Sequence, residues 1–199
     1  MMLDMPSPVS TRRRRADAER SIASIVNAAV EGFSRRPDVS MSEIATAAGV
    51  GRVTLYAHFP SREALLESAI DHALGRAIAA LDAAELDDGP PAEALGRMVR
   101  SNWSILDRYR GLLAAAGELP PSRFREHHAG VLARLERLVA RGQADGGFRA
   151  DLPRNWLVAV CFSLFHAAAQ EVGENRLDPA VAAAVLEATL LGALAPPEL

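Results

Sequence analysis

Between Pro37 and Pro60 the chain has room for two short helices and one tight turn. Proline lacks a backbone N–H and clashes with the preceding turn, so neither helix extends past these residues. Ser40 and Glu43 have the S-x-x-E spacing of a capping box, in which each side chain satisfies an orphan N–H at a helix start. Ile44, Ala47 and Ala48 give that helix an inner face. Gly49 falls where a helix end wants a left-handed residue. A second helix is predicted over 52–59, and Ser61 caps the one that follows. Two short helices joined at Gly49-Val50-Gly51 make a helix-turn-helix.

The flanking sequence is helical throughout. Ile22, Ile25, Val26, Ala29 and Phe33 recur at three and four residues, predicting a helix over 16–35. Further helices are expected over 62–85, 92–108, 111–118, 122–143, 154–172 and 179–194, with loops at Asp87–Pro91 and Asp145–Pro153. No period-2 run is bounded by turn signals, so no sheet is expected. The fold class is all-α. It comprises a disordered basic tail (1–15), a three-helix helix-turn-helix domain (16–60) and a C-terminal helical domain (61–199).

Charge is uneven along the 199 residues. Residues 1–60 hold eight Arg against six acids, and residues 61–199 hold fourteen against nineteen, which together give the net −3. Only the N-terminal part suits a polyanion. Cys161 is the one cysteine, which excludes an internal disulfide framework. The run Trp156–Ala169 is shorter than the ~18–20 apolar residues that cross a bilayer. The chain is therefore expected to be soluble, cytoplasmic and free of membrane contact. There is no nucleophile elbow, no glycine-rich phosphate loop and no paired His-carboxylate spacing. His127 and His128 are adjacent and diverge by about 100° on a helix. The expectation is no enzyme activity, no cofactor and no metal.

The stretch Ile44-Ala45, Ala48-Gly49-Val50, Thr54-Leu55-Tyr56, His58-Phe59 and Ser61-Arg62-Glu63-Ala64-Leu65 resembles the tetracycline-repressor (TetR) family of bacterial transcriptional regulators. The resemblance covers residues 16–70. Beyond them only length and helical character agree. It implies a regulator whose second helix enters the major groove of double-stranded DNA, a groove about 12 Å wide. It also implies phosphate contacts from Thr54, Tyr56, His58 and Arg62, and base-edge contacts from Ser42, Arg52, Val53 and Ala57. Gly51 stands where the family commonly has Ser or Thr, and Val53 where it has a smaller residue. The operator is therefore this chain's own. Arg12–Arg15 are a candidate source of additional phosphate contacts.

A twofold dimer reading a pseudo-palindrome needs an interface. The last two helices are the candidates, through Leu157, Cys161, Leu164, Ala168, Val181, Leu186 and Leu190, as a four-helix bundle like that of TetR-like proteins. Aromatic and polar residues on otherwise apolar helices suggest a small-molecule effector site. Trp103, Leu106, Phe124, His127, Trp156 and Phe165 are its candidates, from a wider set that includes Met98, Asn102, Tyr109, His128 and His166. The expected function is a sequence-specific repressor released by a ligand. The alternative is a helical ligand-binding or adaptor protein without specific DNA recognition.

Overall fold

A computed structural model describes the backbone of residues 8–117 and 119–197, and its regular structure is entirely helical. The N-terminal helices are α1 (Pro8–Arg35), α2 (Met41–Ala47), α3 (Arg52–His58) and α4 (Arg62–Ala83). After them come α5 (Pro91–Arg108), α6 (Arg110–Ala116), α7 (Pro121–His127), α8 (Ala129–Ala144), α9 (Arg154–Gly173) and α10 (Pro179–Leu194).

Two expectations need correction here. The basic tail divides: residues 1–7 lie outside the described residues, while residues 8–15, Arg12–Arg15 included, continue α1. Proline is at home in a first helical turn and arginine is a good helix former, so nothing in that segment stops the helix. The single helix expected over 122–143 is broken at His128, which ends α7 and opens α8. The backbone N–H of His128 reaches the Phe124 carbonyl only at 3.4 Å, while its own Nδ1 lies 2.7 Å from the same oxygen. His166 makes the same contact with the Phe162 carbonyl inside the continuous α9, so this bond accompanies the break without accounting for it.

Two hydrophobic cores form. The first gathers α1, α2, α3 and the first half of α4 around Phe33, Ile44, Leu55 and Leu65, and α6 joins it through Leu112 and Ala115. The second gathers the end of α4 with α5, α8, α9 and α10 around Leu95, Leu135, Leu138, Cys161 and Leu190. The turn at Pro60 thus separates helices but not cores, because α4 belongs to both. Two arginines hold the loop after α4. Arg97 donates to the carbonyls of Ala84, Glu85 and Asp88, and Arg141 to those of Leu86 and Gly89. With 20 residues and a mean hydropathy of 1.3, α9 is long and apolar enough to cross a membrane, contrary to the count on the bare apolar run. Here Leu157, Val158, Cys161 and Phe165 from it face the second core.

Candidate nucleic-acid interface and effector cavity

The helix-turn-helix is fixed at its helix ends. Ser40 Oγ accepts from the Glu43 N–H at 3.3 Å, and Glu43 accepts from the Ser40 N–H at 2.9 Å, completing the capping box. Arg36 adds an ion pair to Glu43 at 2.6 Å. The Ser40 hydrogen bonds, then Arg36, hold the Glu43 carboxyl down at about 2. At the far end of α2 the Val50 N–H reaches the Ala45 carbonyl and the Gly49 N–H the Thr46 carbonyl. This is a Schellman turn, with Gly49 at φ +70°, where a side chain would be strained. Ser24 on α1 donates to the Ala48 carbonyl at 2.8 Å and locks the turn against the first core.

The result is a rigid presentation of α3. Only Leu55 is buried within α3, and Phe59 is buried just after it. Arg52, Val53, Thr54, Tyr56 and Ala57 are exposed and His58 is half-buried. Val53 is 86% exposed, an extreme value for a valine with no neighbour to cover it. Ser42 on α2 is half-buried. Arg62 sits apart from this set. Its guanidinium donates to the carbonyls of Pro37 and Val39 and lies 4.8 Å from the Phe33 ring centroid. It fastens α4 to the α1–α2 loop, a structural task the sequence did not reveal.

In the helical half, a cavity of about 80 Å³ opens among α4, α5, α6, α8 and α9. Leu106 and Phe165 line it, as do Met98, Asn102, Tyr109, His128, Phe162 and His166. The other named candidates lie elsewhere. Trp103 is buried in the second core off the cavity wall, and Trp156 is 58% exposed. His127 turns to α4, with Nδ1 2.6 Å from Asp71 Oδ1, because its carboxylate partners lie on that side. Phe124 stacks behind the wall, its ring centroid 4.3 Å from that of His128. His128 and His166 each place Nδ1 on the carbonyl four residues back, at 2.7 and 2.8 Å. Burial pushes the His128 imidazole down to about 4, and His166 moves the same way.

The expected interface residues divide as well. Leu157, Cys161, Leu186 and Leu190 are buried in the second core, and Leu164 and Ala168 pack against it. The four buried side chains are intramolecular, because the inner faces of α9 and α10 pack on each other and on α5 and α8. Val181 alone of the set is exposed. The uncovered face carries Trp156, Ser163 and Ala167 on α9, and Val181, Val185, Ala188 and Gly192 on α10.

A braced helix, a fixed turn and an uncovered second helix define a helix-turn-helix DNA-binding domain, here built onto a helical body with a cavity. The model of bacterial regulatory proteins of the tetR family matches residues 25–69. The repressor LfrR of Mycolicibacterium smegmatis is 36% identical over 87 residues, 44% of this chain and 46% of that protein. The chain thus spans under half of that relative. The regulator NfxB of Pseudomonas aeruginosa is 29% identical over 140 residues, 67% of this chain and 71% of its own length. Among solved structures, FadR of Bacillus subtilis in complex with stearoyl-CoA aligns with TM-score 0.73 at 19% identity, covering 86% of this chain and 98% of that one. LfrR in complex with proflavine aligns with TM-score 0.65 at 25% identity, covering 91% and 98%. Residues 25–69 are thus similar to the tetR family of bacterial regulatory proteins, and the chain as a whole shares the fold of these solved structures.

Proposed function

We propose that this protein is a cytoplasmic transcriptional repressor that binds a pseudo-palindromic operator as a homodimer and leaves it when a small molecule occupies the cavity. The observation that carries the reading is the uncovered face of α3 on a backbone locked by the capping box and the Schellman turn. Arg52, Val53 and Ala57 suit base edges, Arg52 as a bidentate donor to guanine and the other two against thymine methyls. Ser42 joins these at base edges from α2, while Thr54, Tyr56 and His58 suit phosphates. Arg62 acts here by holding α4 in place, since its donors are drawn to Pro37 and Val39.

The dimer forms through the outer faces of α9 and α10, around Trp156, Val181 and Val185, whose exposed apolar side chains otherwise meet water. Small residues beside them let two helix pairs approach closely. Release by ligand follows from differential affinity: a molecule that prefers the dimer with misplaced recognition helices weakens DNA binding by that preference. In the LfrR and FadR structures the bound molecules are proflavine and stearoyl-CoA, which supports small-molecule control without naming the effector here.

The test is a gel shift of the purified protein on DNA flanking its own gene, with competitor and a salt series. A discrete complex that survives non-specific competitor is expected. Arg52→Ala should relax specificity at one base pair by about 1–3 kcal/mol, while Tyr56→Phe weakens all sequences alike. Weak binding that vanishes with salt and ignores both variants overturns the reading.

A further inference from the structure

The side chains of α3 are sorted around its axis. Successive positions on a helix diverge by about 100°. Leu55 is wholly buried and gives the direction of the core. From it, Val53 and Ala57 each lie about 160° away, one on either side, so together they straddle the line pointing straight out of the protein. Tyr56 and Thr54 stand at about 100° to the two sides, and Arg52 and His58 at about 60°. The leading edge of α3 is therefore apolar, and its hydrogen-bonding side chains stand on the flanks. Val53 is more exposed than any other large apolar side chain among the described residues. The ground beside this edge is low. A Cβ on Gly49 or Gly51 would meet nothing within 4 Å, and Ala47, the last residue of α2, is exposed. A helix about 10–12 Å across only just enters a major groove about 12 Å wide, so small side chains at the edge decide how deep it goes.

Valine and alanine side chains make no hydrogen bond, so this edge cannot tell a donor on a base from an acceptor. The apolar feature that a base offers in the major groove is the C5-methyl group of thymine. Resting on the reading of α3 as the helix that reads DNA, we infer that the bases beneath Val53 are selected by the C5-methyl group itself. Base identity is left to Arg52 and Ser42. 5-Methylcytosine carries that methyl group in the same place as thymine, while uracil and cytosine lack it. Methylation of a cytosine under this edge therefore strengthens binding, just as replacing a thymine there by uracil weakens it. A reader that used hydrogen bonds would behave otherwise, because thymine presents the O4 acceptor where cytosine presents an amino donor. Burial of one methyl group against Val53 corresponds to about a fourfold change in affinity.

The experiment measures Kd by fluorescence anisotropy, at one salt concentration, for the full-length protein on the DNA fragment flanking its own gene. Each pyrimidine position of a footprinted half-site is built in two pairs that differ by one methyl group only. These are thymine against uracil opposite adenine, and 5-methylcytosine against cytosine opposite guanine. At one position or more, the methylated member of both pairs should bind about fourfold more tightly. Val53→Ala should lower both ratios together at that position. Tyr56→Phe should weaken all four sites and leave the ratios as they are. Uracil that binds as tightly as thymine throughout the half-site overturns the proposal. So does a methyl preference confined to the thymine pair, or one that Val53→Ala leaves undiminished at every position. If no fragment forms a competitor-resistant complex, the reading of α3 as a DNA reader falls, and the methyl preference falls with it.

Discussion

The two cores are made of the same residue types but are fastened differently. The first is fixed at helix ends, by a capping box, a Schellman turn and the Ser61 hydroxyl that caps α4 at 3.1 Å. Its polar groups are exposed, and its α3 face is left uncovered. The second is fixed by helix faces, and where it meets the first, two imidazoles are turned inward at the wall of a cavity lined from both cores. One core therefore presents a surface without moving it. The other borders a space, shared with the first, whose contents can alter how the helices pack. A regulator needs both, joined where α4 runs through the two cores and α6 from the helical half packs on α1.

Acid should separate the cores most strongly. Neutral in the fold down to about 4, His128 takes up a proton near its ordinary 6.5 once unfolded. Between those values the unfolded chain binds more protons, so stability is full above pH 6.5 and falls as pH drops toward 4. This group alone is worth up to about 3 kcal/mol over that window. His166 shifts in the same direction and adds to the loss. Glu43, with its carboxyl held at about 2, loses its contribution only below its ordinary 4.5, so the first core should resist acid longer. Thermal melts from pH 7 to 4 check this: His128→Phe should flatten the slope between 6.5 and 4 whatever its effect at pH 7. An unchanged slope would show that the imidazole is not buried neutral.

The junction is next in size. A methyl group on Gly111, in α6, would lie 2.4 Å from the Ser34 carbonyl oxygen and 2.5 Å from that of Phe33. Backbone cannot swing aside as a side chain can, so Gly111→Ala should push α6 off α1 and destabilise by about 1–3 kcal/mol. The same change at Gly75, in the middle of α4, meets nothing within 4 Å and should stabilise by up to about 1 kcal/mol through helix propensity. Urea midpoints for the two variants should therefore move in opposite directions. If Gly111→Ala proves neutral, the seam between the halves is looser than its geometry.

What was legible in the sequence follows the same division. Helix ends are written in one or two residues, so Ser40, Gly49, Pro60 and Ser61 place the turn, and the start and stop of α10 agree with Asp178, Pro179 and Leu194. Helix faces are written in phase, and phase fails when both sides are apolar. On α10, Leu186 and Leu190 look as interfacial as Val181 and Val185, yet the leucines are inside and the valines outside. Trp156, read as a cavity residue, is exposed for the same reason. Nothing in the residue spacing marks the break at His128, which ends α7 and opens α8. Arg62 carries a motif position, yet its donors go to a loop 23 and 25 residues earlier in the chain.

The smallest expected effect tests whether the first core is limited by its helix ends. Gly51 is the N-cap of α3, with φ −73° and ψ 152°, and makes no side-chain cap. Serine adopts that backbone readily, and nothing lies within 4 Å of the added Cβ. Its hydroxyl can accept from the Thr54 N–H, as Ser40 accepts from Glu43 and Ser61 from Ala64. Gly51→Ser should therefore stabilise by a few tenths of a kcal/mol. Such a gain is easier to see locally, as slower hydrogen exchange at the α3 amides, than in a melting curve dominated by both cores. Exchange in α9 should not change, because that helix is held by its faces. Slower exchange there would mean that the two halves unfold as one unit, and the contrast between them would then be one of construction only.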